Sequence, residues 1–129
     1  MTDSEKIMII RDFIKQCYAT LGIQSSPEIV ITNDKNWCKA HRSFGSYEPA
    51  TGKITAYLGD RNLADFLRTL AHEMQHHAQN EQGRLEINSG ETGSPIEDEA
   101  NSVAGIVLRN YGKQHDVIYE RHISKKRIL

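Results

Sequence analysis

Residues 62–79 follow a helical pattern that divides the segment into two different faces. At about 100° per residue, the apolar side chains gather on one side of this helix. They are Leu63, Phe66, Leu67, Leu70, Ala71, Met74 and Ala78. His72 and His76 fall on nearly the opposite side, among polar neighbours. Such a helix requires a protein core behind it and presents its histidines to a cleft or to solvent.

The chain before this helix predicts one further helix and a small sheet. Apolar residues at helical spacing cover residues 4–21, and Gly22 is suited to end that helix. The short β-branched segment 27–32 predicts a strand, whereas residues 36–42 show no clear period and predict a loop. Two alternating segments, 43–47 and 53–58, are joined by turn residues and predict a hairpin.

The chain after this helix predicts a loop, a second long helix and a tail. The loop covers the polar residues 88–93. Ser94 is a suitable N-cap, Pro95 suits the first helical position, and Glu97 can close a capping box with Ser94. The helix is expected to run to Tyr111 and to end at Gly112. Residues 116–123 are compatible with a strand or a short helix.

Together these elements predict a single α+β domain over residues 1–129, with a small, largely antiparallel sheet. A chain of 129 residues with 38% apolar and 26% charged residues can bury a core of its own. The formal net charge of −1 gives no reason to expect nucleic acid or an anionic membrane as a partner. The basic tail, residues 124–129, is expected to be a solvated terminus.

The N-terminal residues do not resemble a signal peptide, and no apolar run reaches the length of a membrane span. Two cysteines, Cys17 and Cys38, do not make a disulfide framework. We therefore expect a cytoplasmic protein in which both thiols are free.

The segment His72-Glu73-Met74-Gln75-His76 has the spacing of a metal site. Two histidines four residues apart lie on one helical face, so both imidazoles can reach one ion at about 2.0–2.1 Å. Glu73 projects beside that site, where it can accept a proton from a metal-activated water. The pattern favours a zinc-dependent hydrolase with Glu73 as the general base.

A third protein ligand is expected, because catalytic zinc takes three and leaves the fourth position open. The next helix offers Glu97, Asp98 and Glu99. Asp98 points away from the apolar stripe of that helix and is the poorest candidate. Glu97 and Glu99 flank the stripe on opposite sides, and geometry alone does not separate them. Since Glu97 has a local role in the capping box, we predict Glu99 as the ligand.

Other histidines and cysteines compete less well for the metal. His115 would complete a three-histidine site, but it lies beyond the predicted end of the last helix. Cys38 could take the part of the cysteine ligand of peptide deformylases, but the residues around it do not resemble their loop. Cys17 lies on the apolar face of the first helix, which predicts a core position. His77 adjoins the motif near the apolar edge of its helix, and we expect a structural role for it.

Two segments of the chain resemble the gluzincins, the thermolysin-like zinc peptidases that take a glutamate ligand from the following helix. The segments are Ala71-His72-Glu73-Met74-Gln75-His76 and Glu97-Asp98-Glu99-Ala100-Asn101. In the family's pattern the ligand is the glutamate of a Glu-Ala pair, which implies Glu99 here. The compact size and the second segment are most similar to ImmA/IrrE-type peptidases, with SprT-like peptidases as the second choice. The resemblance covers roughly residues 53–111.

The resemblance implies a zincin-like fold, a zinc ion bound by His72, His76 and Glu99, and cleavage of peptide or protein substrates. It also implies that strand 53–58 binds extended peptides by strand addition.

Two features depart from the family's pattern. Val103 stands where larger gluzincins place an acid that orients a histidine ligand. No residue can be assigned to stabilise the transition state, and four are eligible: His115, Tyr119, Arg121 and His122. These departures leave two alternatives open, namely a zinc-retaining binding or regulatory module with little turnover and a metal-free interaction protein.

Overall fold

Four helices and a three-stranded sheet make up the described part of the chain, residues 1–85 and 93–119, in a computed structural model. The elements are α1 (Asp3–Leu21), β1 (Ile29–Thr32), α2 (Lys35–His41), β2 (Gly45–Glu48), β3 (Lys53–Tyr57), α3 (Leu63–Glu81), α4 (Pro95–Gln114) and a 3₁₀ turn (Asp116–Tyr119). The predicted α+β class is confirmed. Residues 88–92 of the predicted loop, residues 120–129 of the tail, and with them Arg121 and His122, lie outside the described residues.

Helix α4 begins as predicted but ends later. The Ser94 hydroxyl accepts a hydrogen bond from the Glu97 backbone N–H, and Pro95 is the first helical residue. The helix continues through Gly112 instead of stopping before it. The Tyr119 ring packs so closely against Gly112 that a Cβ atom at position 112 would overlap it. Gly112 therefore admits an aromatic ring and does not serve as a helix stop.

The prediction of a loop over residues 36–42 is wrong, because α2 covers most of it. The Asp34 side chain caps the helix by accepting a hydrogen bond from the Asn36 N–H, and Arg42 ends it in the left-handed conformation. None of its residues is buried. A short helix without a buried face leaves no apolar period in the sequence, so periodicity could not find it.

The sheet has the order β1–β3–β2, with β3 in the middle. Strands β2 and β3 form the predicted hairpin, whereas β1 pairs with β3 in parallel. The sheet is therefore mixed, and the expectation of a largely antiparallel sheet is corrected. A parallel pair requires a connection that crosses over the sheet, and here α2 and β2 lie between β1 and β3 in the chain. Because β3 is paired on both sides, it cannot bind a peptide by strand addition.

Helix α3 lies at the centre of the molecule, in contact with α1, α4, β2 and β3. All seven apolar residues predicted for its inner face are buried. They pack with residues of α1, α4 and the sheet in one core that includes Phe13, Ile54 and Leu108. Burial of this face sets the rotation of α3 about its axis, and that rotation directs the histidine face away from the core.

The two thiols differ in their surroundings, and both are free. Cys17 is fully buried in the core, as predicted, and burial raises the pKa of its thiol to about 12. Cys38 lies partly exposed on α2. Within residues 1–85 and 93–119, none of the helices combines the length and the apolar character needed to span a bilayer.

We expect Leu70→Ala to lower the free energy of unfolding by about 2–5 kcal/mol, because the side chain is fully buried where α3 meets the core. Urea unfolding followed by circular dichroism measures the change. Met8→Ala on α1 is the matched control, since Met8 is 70% exposed and its truncation should change stability by about 0.5 kcal/mol or less. Equal losses for the two variants would contradict the assigned core.

Candidate metal centre

Three side chains from α3 and α4 bring their ligand atoms together at one point. The His72 Nε2 atom lies 2.7 Å from one carboxylate oxygen of Glu97, and the His76 Nε2 atom lies 3.1 Å from the other. The two Nε2 atoms are 3.1 Å apart. The sequence predicted both histidines, and the structure brings Glu97 to them as the third group.

The donor set fits a metal ion. Four-coordinate zinc with bonds of about 2.0–2.1 Å holds its ligand atoms about 3.3 Å from one another. The two histidine Nε2 atoms, 3.1 Å apart, are close to that value, and one ligand atom from each of the three residues lies within 4.8 Å of the others. Two imidazole nitrogens with one carboxylate oxygen also form a ligand set that catalytic zinc sites use. His72, His76 and Glu97 could therefore hold one divalent metal ion.

The structure does not bring Glu99 to this cluster, which corrects its assignment as the third ligand. The Glu99 carboxylate accepts hydrogen bonds from both terminal nitrogens of Arg84, at 2.9 and 2.8 Å. It also accepts hydrogen bonds from the side chains of Gln75 and Gln79. The Arg84 hydrogen bonds, followed by those from the glutamines, lower the pKa of Glu99 to about 2. The carboxylate is thus already satisfied by Arg84, Gln75 and Gln79 and lies outside the cluster.

Glu99 nevertheless supports the site through Gln79, which orients His76. The buried Gln79 amide donates hydrogen bonds to the Ile96 carbonyl and to Glu99, at 3.1 and 3.0 Å. This directs its carbonyl oxygen at His76 Nδ1, 2.8 Å away. Since that oxygen only accepts, His76 carries its proton on Nδ1. The Nε2 lone pair is left free for a metal.

His72 is held in a similar way by α4. The Asn101 side chain, four residues after Glu97, lies near enough to His72 to raise the pKa of that imidazole as a hydrogen-bond partner. Burial, the largest cause, lowers the pKa of His72 below its ordinary value, and His76 lowers it further, whereas Glu97 raises it. The net direction favours the neutral imidazole, which is the form that binds metals. Asn101 is therefore the candidate for the His72 partner that the sequence did not identify.

Glu73 lies beside the cluster, as predicted. The side chain is 6% exposed, and burial raises the pKa of its carboxyl to about 8, with a further contribution from the charge of Glu97. A cation bound at the cluster would act in the opposite direction. A Cβ atom at Gly45 of β2 would come within 2.8 Å of the Glu73 carboxylate. Only glycine at this position lets the sheet and the carboxylate approach so closely.

His77 belongs to a separate buried network, in agreement with the structural role expected for it. Its Nδ1 atom lies 2.7 Å from the Tyr47 hydroxyl, and its Nε2 atom lies 2.8 Å from the Ser25 carbonyl. Asn80 donates a second hydrogen bond to the Tyr47 hydroxyl. These contacts fasten β2 and the segment before β1 to the side of α3 that faces away from the metal cluster.

The metal cluster opens into a cleft of about 640 Å³. Residues 43–45 form one wall, and the first half of α3 contributes Arg68, Thr69, His72 and Glu73. The other wall is α4, along one face from Glu97 to Arg109. The cleft is large enough for several residues of a peptide, and Glu73 lies at its metal end.

The remaining described candidates lie elsewhere. His115 stacks on Tyr111 and lies 3.7 Å from the Asp12 carboxylate, on the side of α4 that meets α1. Tyr119 packs on Gly112. Neither residue lines the cleft, so neither can stabilise a transition state there. Cys38 is likewise outside the metal cluster.

Comparison of the chain with protein families, with curated proteins and with solved structures finds no match in any of the three. The function of the cluster must therefore be argued from its own chemistry.

We expect Glu97→Gln to weaken zinc binding more than Glu99→Gln, because only Glu97 offers an oxygen to the ion. Loss of a hydrogen-bond partner of a metal ligand typically lowers metal affinity by about 10–100-fold. Glu97→Gln should lower zinc affinity by more than this, whereas Glu99→Gln should lower it by about ten-fold. Competition with a chromophoric chelator measures both dissociation constants. A larger loss for Glu99→Gln than for Glu97→Gln would restore Glu99 as the ligand.

Proposed function

We propose that this protein is a zinc-dependent metallopeptidase with a minimal zincin-like fold of the gluzincin type. The observation that carries the proposal is the convergence of His72, His76 and Glu97 beside the buried Glu73 carboxylate, at one end of an open cleft. The resemblance of the His72–His76 segment to gluzincin peptidases, most of all the ImmA/IrrE type, supports it from the sequence, whereas Glu97 as the ligand departs from the Glu-Ala pattern of that family.

A zinc ion bound by His72, His76 and Glu97 would supply Lewis acidity, which acidifies water and polarises a carbonyl. Glu73 accepts a proton from the attacking water and later donates it to the departing amine. The carboxylate is suited to both transfers, because it is screened from bulk solvent and yet lines the cleft. Gln79 and Asn101 keep the two imidazoles directed at the ion.

The substrate strand is expected along β2 instead of β3. The Tyr57 N–H donates a hydrogen bond to the Phe44 carbonyl at 2.7 Å. Given the register of β2 and β3, the backbone N–H and C=O groups of Ser46 and Glu48 then also point toward β3. The backbone groups of Tyr47 point to the opposite edge and can pair with a peptide. Those of Gly45 point the same way but are bonded to the Ser43 hydroxyl, which a peptide would have to displace. Ser43 and Phe44, just before β2, line the cleft. An extended peptide that pairs with this edge would pass beside Glu73.

A second candidate is a zinc-retaining binding or regulatory module with little turnover. His115 and Tyr119 were two of the residues eligible to stabilise the transition state, and neither lines the described part of the cleft. This favours binding without rapid turnover.

We expect Glu73→Gln to abolish peptide cleavage while zinc binding is retained, because the amide cannot accept the proton and the three ligands are unchanged. General base catalysis typically contributes about 10²–10⁴-fold, so a loss of that size in kcat is predicted. Cleavage of a mixed peptide pool by the zinc-loaded protein, followed by mass spectrometry, measures it.

Asp65→Asn is the matched control, since Asp65 is an exposed acid on the same helix that lies outside the cleft. Removal of zinc with a chelator should also stop cleavage, and added zinc should restore it. Cleavage by Glu73→Gln at the wild-type rate would remove Glu73 from this role. Zinc binding without cleavage by the wild-type protein would favour the binding module.

A further inference from the structure

Two arginines line the far part of the cleft, and the metal chemistry does not use them. Arg68 stands on α3 one turn before His72, and Arg109 stands on α4 three turns after Glu97. Both side chains are exposed. Within residues 1–85 and 93–119, neither guanidinium has a hydrogen-bond or ion-pair partner.

The other polar side chains along the same walls already have protein partners. The Ser43 hydroxyl donates to the Gly45 carbonyl at 2.8 Å. The Thr69 hydroxyl donates to the Asp65 carbonyl and accepts a hydrogen bond from Arg61. Asn101 is bonded to His72. The two arginines are therefore the groups in this part of the cleft that remain available to a ligand.

The helix geometry brings these two groups toward each other. Gln79, near the end of α3, contacts Ile96, near the start of α4. The cleft that His72 and Glu97 line also contains Arg68, earlier on α3, and Arg109, later on α4, so the two helices run in opposite directions along it. Side chains on a helix tilt toward its N-terminus, so Arg68 reaches away from His72 and Arg109 reaches back toward Glu97. Along the axes, these residues stand about 6 Å and about 18 Å from the ligands. Their guanidinium groups thus approach the same section of the cleft from opposite ends.

The charge of the cleft also favours an anionic ligand there. The carboxylates Glu73 and Glu97 lie at the metal end, where a bound dication would offset their charges. The charges of Arg68 and Arg109 then remain uncompensated. Between them, the α4 wall is formed by Ala104 and Gly105, and a side chain added at Gly105 would meet open space. This section is therefore both positively charged and unobstructed.

We propose that Arg68 and Arg109 form a subsite that binds a carboxylate of the substrate, close to the bond to be cleaved. The inference rests on the proposed peptidase function and names its substrate class. An extended peptide advances about 3.3 Å per residue, so the carboxylate belongs to a residue about two to four positions from the metal. Arginine suits this task, because its planar fork binds a carboxylate through two parallel hydrogen bonds. The carboxylate is an aspartate or glutamate side chain, or the C-terminus of the peptide.

Binding is tested separately from turnover, with the zinc-loaded Glu73→Gln protein and fluorescent peptide pools. One random-core pool contains Asp and Glu where its matched pool contains Asn and Gln, and each is made with a free and with an amidated C-terminus. We expect the acidic pool, or the pools with a free C-terminus, to bind at least about ten-fold more tightly than the neutral amidated pool. The responding pools identify the source of the carboxylate.

The preference should be lost when Arg68→Gln and Arg109→Gln are added, with zinc content unchanged. The matched control is Arg11→Gln with Lys15→Gln, which removes two exposed positive charges from α1, outside the cleft. A preference that survives the loss of both arginines, or that is equally lost in the α1 control, overturns the subsite. The same holds if no pool is preferred.

Cleavage of the same pools by the wild-type protein tests the proposed function independently. Cleavage without a carboxylate preference overturns the subsite and supports the peptidase. A carboxylate preference that depends on the two arginines, without cleavage, supports the subsite and overturns the peptidase. The two failures are thus distinguishable.

Discussion

The structure depends on the satisfaction of a band of polar side chains that α3 buries along with its apolar face. Five polar residues in the second half of this helix are less than a tenth exposed: Glu73, Gln75, His76, His77 and Gln79. An unpaired buried polar group costs about 1–3 kcal/mol, and all of these residues except Glu73 find a partner in a neighbouring element. Strand β2 and the segment before β1 serve His77, whereas α4 serves Gln75, His76 and Gln79. The contacts that build the site therefore also determine how the elements pack on α3.

Local patterns in the sequence predicted those parts of the fold that local physics determines. The two faces of α3, the cap at Ser94 and the hairpin each follow from residues close in the chain, and the structure contains all three. The parallel pairing of β1 and the helix α2 escaped prediction for different reasons. Strand direction depends on the path of the chain between the strands, which alternation does not encode. Helix α2 has no buried residue, so it leaves no apolar period to recognise.

The choice between two acids on α4 shows where local reasoning fails at the site. Glu97 was assigned to the capping box. The Ser94 hydroxyl accepts a hydrogen bond from the backbone N–H of Glu97, and the Glu97 carboxylate extends to the two histidines. Glu99 is held by Arg84, fifteen residues earlier in the chain, and no spacing rule predicts that pairing. One signal was nevertheless present. The residue that orients a histidine ligand is expected four positions after the glutamate ligand. If Glu99 were the ligand, that residue would be Val103, whose side chain cannot make a hydrogen bond. If Glu97 is the ligand, it is Asn101, which contacts His72.

The position of Glu73 argues for chemistry over a purely structural use of the metal. Structural zinc sites are closed by four protein ligands, whereas this cluster offers three within the described residues and opens into a cleft. A structural site would gain nothing from a further buried carboxylate, whose desolvation destabilises its charged form. Here Glu73 accepts no hydrogen bond from any described residue, and Gly45 leaves the space that its carboxylate occupies. The proposed proton transfer gives this buried carboxylate a use beside three candidate metal ligands, which stability alone does not.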